Sequence, residues 1–102
     1  MSYDLDALKA KYGKKLSELT VTTSEDETFV FVLKKPSRHV IEAVSDLESE
    51  KKGRVAAVSK IMMTNCVVAG NMEALEDGEV YSTVLEEVGK LFTKASATIK
   101  KL

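Results

Sequence analysis

The sequence predicts an α+β domain: a short N-terminal helix, a β-hairpin, then three α-helices packed on it, the last one long and amphipathic. Two observations carry this. Two β-branched stretches, LSELTVTT and TFVFVLKK, flank a polar turn. Downstream, apolar residues recur at steps of three and four in three successive segments. The length of 102 residues fits a single domain over 1–102. A half-chain would bury too little surface to stand alone without disulfides or metal.

Each element has its own signals. Over 4–12, Asp4 can cap a helix whose Leu5, Leu8 and Tyr12 share a face, and Gly13 can end it. So short a helix must dock to persist. The hairpin arms cover 16–23 and 28–34. The SEDE turn between them lacks Gly, which points to a loop of four or more residues rather than a tight type I′ turn. In the second arm Phe29, Phe31 and Leu33 lie on one face and Val30 and Val32 on the other. Both faces are apolar, so helices or a second copy should cover both.

Pro36 ends that strand, and Ser37 can cap a helix over 38–49 with Val40, Ile41, Val44 and Leu47 in one stripe. ESEKKG breaks the pattern. A further helix over 54–68 would bury Val55, Val58, Ile61 and Met62, with Asn65 and Cys66 nearby, and stop at Gly70-Asn71. Residues 71–78 read as an acidic connection. From Glu79, a stripe of Val80, Val84, Val88, Leu91, Ala95, Ile99 and Leu102 predicts a final helix of about 24 residues, roughly 36 Å long. Tyr81, Leu85 and Phe92 widen that stripe. Such a helix outreaches a domain of this size, and a projecting apolar stripe calls for a partner.

Composition excludes much chemistry. The net charge is −1, with 15 basic and 16 acidic residues, unlike a strongly basic nucleic-acid binder. One cysteine cannot form an internal disulfide or a multi-cysteine zinc site, and one histidine removes imidazole clusters. His39 has no local acid or nucleophile beside it and reads as a first-turn helix residue. Cys66 falls near a helix C-terminus, where the dipole disfavours a thiolate, and reads as a small buried hydrophobe. The acidic groups lack the spaced oxygens of a calcium loop. No phosphate loop, nucleophile elbow or zinc motif occurs. No catalytic residue, metal site or cofactor is expected.

Two patterns point to partners. Between 31 and 60 there are seven basic and four acidic residues, among them Lys34, Lys35, Arg38, Lys51, Lys52, Arg54 and Lys60. This leaves open a small oligomeric nucleic-acid-binding regulator using the basic segment 34–60. Its polar base-readers would be few, so nucleic acid is the weaker expectation. The apolar set Phe29, Phe31, Met62, Met63, Tyr81, Leu85, Phe92 and Ile99 is the candidate surface for a partner or for self-association, with the methionines suited to adaptable peptide binding. The N-terminus has no basic stretch leading into an apolar run, and no segment reaches the ~18 apolar residues of a membrane span. No membrane contact and a cytoplasmic location are expected.

From 28 to 92 the order of features resembles a known family. FVFVLKKPSR runs from a strand through a basic pair and a proline into a helix. A later helix ends in Asn65-Cys66-Val67-Val68. An acidic linker follows, then an amphipathic helix with Val84-Leu85-Glu86-Glu87. This looks like the tail assembly chaperones of long-tailed bacteriophages and prophages, and covers about two thirds of the chain. The resemblance implies a non-enzymatic, self-associating protein of the bacterial host cytoplasm. Such a protein shields a hydrophobic tape-measure client until tail-tube protein replaces it. Phe29, Phe31, the Lys35-Pro36-Ser37-Arg38 corner and Cys66-Val67-Val68 would then define the fold. The N-terminal helix and about ten residues of the final helix lie outside the family pattern.

Overall fold

A computed structural model describes residues 3–49, 55–92 and 97–102. The expected α+β class is present: α1 (Leu5–Tyr12), β1 (Leu16–Thr22), β2 (Thr28–Lys34), α2 (Arg38–Ser49), α3 (Val55–Cys66), β3 (Val67–Gly70), a 3-10 turn at Met72–Glu76, and α4 (Gly78–Lys90). The strands form one antiparallel sheet in the order β1-β2-β3.

The hairpin register is unbroken from Leu16 opposite Lys34 to Thr22 opposite Thr28. Its loop occupies 23–27, so the turn is longer than four residues. Thr23 makes this loop without glycine. Its buried hydroxyl accepts from the amides of Glu25 and Glu27, and its own amide donates to the Glu27 carbonyl at 2.8 Å. Asp26 takes the left-handed conformation (φ 61°) that an Asx residue tolerates.

Alternation then sorts the side chains. Leu19, Val21, Phe29, Phe31 and Leu33 share the face that meets α3 and α4. The core there comprises Val21, Phe31, Leu33, Met63, Cys66, Val67 and the α4 stripe Val80, Val84 and Val88. These three valines are fully buried, and each contributes roughly 1.5–3 kcal/mol by leaving water. On the opposite face Val32 is also buried, and α1 approaches it. The Tyr3 hydroxyl donates to the Glu18 carboxylate. Tyr3, Leu5 and Lys9 line a cavity of about 230 Å³ with Leu16, Glu18 and Val32. α1 itself buries nothing fully. Asp4 caps it through the Ala7 amide at 3.2 Å, and Gly13 (φ 92°) ends it.

Four expectations need correction. Residues 67–70 are a strand, not the end of the preceding helix. The β-branched pair Val67-Val68 pairs with β2 once Cys66 closes α3. The final helix is amphipathic and, among the described residues, the longest, but it ends at Lys90, where Leu91 and Phe92 turn back on Val88 and Gly89. Ala95 lies outside the described residues, and Ile99 and Leu102 are exposed in a segment with no regular structure. The apolar spacing was met, but no surface buries Ile99 or Leu102. Phe31 and Met63 belong to the core and present no partner surface. Ile41 is 45% exposed, while Val40 and Val44 carry the buried side of α2. The expected basic turn at 50–54 and the side chain of Val55 lie outside the described residues.

Candidate functional site

The last turn of α3 and the whole of α4 set out the best-defined apolar surface. Asp77 fixes where α4 begins, accepting from the amides of Glu79 (2.8 Å) and Val80 (3.4 Å). Glu79 then pins the hairpin tip, because its carboxylate accepts from the Ser24 amide at 2.6 Å and the Ser24 hydroxyl at 3.0 Å. With the helix so placed, Val80, Val84 and Val88 point into the core. Tyr81, Leu85 and Phe92 fall beside them and are half-buried against it. A Cβ built on Gly89 would stand 3.9 Å from the Met62 methyl. Gly89 lies one turn after Leu85 and one before Phe92. Met62 therefore reaches α4 at Gly89.

The result is a half-exposed apolar shelf of Met62, Tyr81, Leu85 and Phe92. Phe29 is half-buried elsewhere on the core's margin. It borders an open depression of about 580 Å³ with Gly70, Asn71, Met72, Glu73 and Ala74. Of the eight candidates, the structure brings together these four on α3 and α4. Phe29 stands apart at the depression, Phe31 and Met63 are internal, and Ile99 is isolated in the exposed C-terminal segment.

Neither depression concentrates reactive groups. In the larger one Asn71 is consumed by the backbone of β2: its Oδ1 accepts from the Val30 amide at 2.8 Å, and its amide donates to the Val30 carbonyl at 2.9 Å. Among the described residues no three His, Cys, Asp or Glu side chains converge as a metal site. Among the described residues no buried side-chain polar atom lacks a partner. Cys66 is fully buried, and burial pushes its thiol above the ordinary range despite the opposing pull of Lys34. His39 is exposed near the start of α2.

Of the basic middle segment, Lys51, Lys52 and Arg54 lie outside the described residues. Lys34 is half-buried on the sheet, Arg38 donates to Glu42 at 2.7 Å, and Lys60 is exposed on α3. At the end of α4, Lys90 pairs with Glu87 at 2.6 Å, which raises the ammonium's pKa. No described helix is long and apolar enough to cross a membrane.

Sequence reasoning missed Asn71 and Gly70 as structural keys. The Gly-Asn pair was visible, but it was read as a helix stop rather than as the end of a third strand. Comparison with protein-family models, curated proteins and solved structures finds no match to this chain.

Proposed function

We propose that this protein is a non-enzymatic, self-associating binding protein that covers an apolar helical segment of a protein client. The client class is that of a tape-measure-like protein, shielded during tail assembly in the bacterial host cytoplasm. The shelf of Met62, Tyr81, Leu85 and Phe92 is the observation that carries this reading. It offers apolar area and a polar phenol at one edge, on a helix whose other apolar side is anchored by three buried valines. A long, unpaired client helix would lay its own apolar stripe there. The order of features from 28 to 92 supports the choice of client.

The test is co-expression with a long apolar helical client of the tape-measure type. Wild-type protein should keep the client soluble and co-purify with it. Leu85→Glu should weaken that capture by ~10-fold or more, since a buried unpaired carboxylate is costly. Circular dichroism checks that the variant folds. A client that precipitates equally with and without wild-type protein overturns the reading. So does steeply salt-dependent binding to duplex DNA through residues 34–60, which would favour a regulator.

A further inference from the structure

The outer edge of β1 is an open hydrogen-bonding ladder. Asn71 holds both the N–H and the C=O of Val30, so Val30 faces away from β1. Antiparallel pairs alternate between bonded and non-bonded, so Thr20, opposite Val30, likewise turns its N–H and C=O away from β2. Leu16, Glu18 and Thr22 follow by the same alternation. None of these outward groups has a bonding partner among the described residues. Glu18, Thr20 and Thr22 are exposed. Tyr3 bonds the Glu18 side chain, Leu5 and Lys9 of α1 line a cavity with Leu16, Ser17, Glu18 and Val32, and among the described residues no backbone hydrogen bond joins α1 to this edge. Sheets usually blunt such an edge with proline, a bulge or a lysine within the strand. β1 has seven residues, none of these devices, and an unbroken register.

We propose that β1 pairs antiparallel with β1 of a second copy of this chain, about a two-fold axis at Leu19, making a continuous six-stranded sheet. The proposal rests on self-association as part of the reading above and adds the surface that carries it. Leu19 is the midpoint of Leu16–Thr22, so this register pairs the whole strand and also satisfies the ladder, the pleat and the charges. The outward residues meet one another, Glu18 opposite Thr20 and Leu16 opposite Thr22, so each pair exchanges two backbone bonds. The pleat is kept, because Leu19 meets Leu19 and Ser17 meets Val21 on the core face of both sheets. Charge also fits. Lys14 and Lys15 precede the strand, and Glu25, Asp26 and Glu27 follow it in the hairpin loop; all five are exposed. An antiparallel copy sets each basic end beside the other's acidic loop. A parallel copy would set like against like. The only charge within the strand, Glu18, faces a threonine. Such an isologous pairing closes at two copies and leaves no further β1 edge.

The experiment combines solution mass with a register test. By light scattering at ~100 μM, a concentration that fills a dimer of micromolar Kd, the wild type should have twice the chain mass. Thr20→Pro removes an outward N–H and no intrachain bond. Its mass should fall toward that of one chain with an unchanged circular dichroism spectrum, because the bond is lost twice per dimer and the dimer weakens by ~100-fold. Leu19→Cys should form a disulfide-linked dimer on mild oxidation, since non-bonded antiparallel neighbours stand ~4.5 Å apart at Cα. Ser17→Cys should not, because the axis separates the two copies of residue 17 by roughly 13 Å. A wild-type monomer overturns this proposal together with self-association. A dimer that survives Thr20→Pro, or Ser17→Cys linking as readily as Leu19→Cys, overturns this edge alone. Client capture, lost through Leu85 on α4, fails separately.

Discussion

The two edges of the sheet are built to opposite ends. β3 has four residues, carries a bulge at Val68, and stops at a glycine whose backbone lies against β2. Asn71 then takes the bonding groups of Val30 that a longer strand would have taken. β1 has seven residues, no bulge and no cap, and its outer ladder is open. An edge that is short, bulged and capped cannot template a further strand, whereas a long regular one can. The chain thus closes one side of its sheet from within and leaves the other side's ladder open.

The closed edge should be the more fragile to substitution. A Cβ added to Gly70 would stand 2.2 Å from the Val30 carbonyl oxygen and 2.7 Å from the Phe31 Cα, at a φ of 122°. Both neighbours are backbone of the central strand and cannot step aside. Gly70→Ala should therefore cost about 3–5 kcal/mol, read as a large fall in the urea midpoint. A midpoint equal to wild type would mean that β3 does not approach β2 this closely. At the open edge Thr20→Pro should cost the folded chain far less, since no intrachain bond is lost.

Asn71 comes next in size. Removing its side chain strands the half-buried Val30 amide, so Asn71→Ala should lose about 1–2 kcal/mol by the same unfolding measurement. Asn71→Asp keeps an acceptor oxygen in place and should lose less. Equal losses in the two variants would show that the amide bond to Val30 is not what closes this edge.

How much of this was legible beforehand follows from range. The hairpin, α2 and the start of α4 were readable because their signals are local: alternation in TFVFVLKK, Pro36-Ser37 before Val40, and the apolar stripe that begins at Val80. β3 was not readable, because Val67-Val68 continues the apolar run of α3 and becomes a strand only where β2 offers a free ladder. The length of α4 was misread for the same reason. Ile99 and Leu102 keep helical spacing, but spacing does not supply the surface that would bury them. Of the candidate surface, Tyr81, Leu85 and Phe92 followed from the width of the α4 stripe. Phe31 and Met63 could not be told from surface residues until the helices were placed over them. The open β1 edge has no side-chain signal at all, since it consists of backbone groups left over by the order of the strands.

The smallest expected effect concerns the one charge on that open edge. Glu18 would sit unpartnered beside an incoming strand, but the Tyr3 hydroxyl donates to its carboxylate and draws it toward α1 on the sheet face. That hydrogen bond is the main reason the Tyr3 pKa lies above its ordinary value of 10.0, with burial and the carboxylate's charge adding to it. The raised pKa means that the folded chain holds this proton more tightly than the unfolded chain. The contact's contribution is thus fully present below the ordinary tyrosine range and is lost as pH rises through the raised value. At neutral pH, Tyr3→Phe should leave the urea midpoint nearly unchanged, because the pair is exposed and solvent screens it. A phenolate absorbance titration is the sharper readout. Tyr3→Phe should remove the phenol that titrates above the ordinary range, and Glu18→Gln should return it toward that range. If neither variant alters the titration, Tyr3 does not hold Glu18. The carboxylate is then free to turn toward the edge, where its charge would oppose an acidic partner and leave a threonine-bearing copy of β1 as the strand it tolerates.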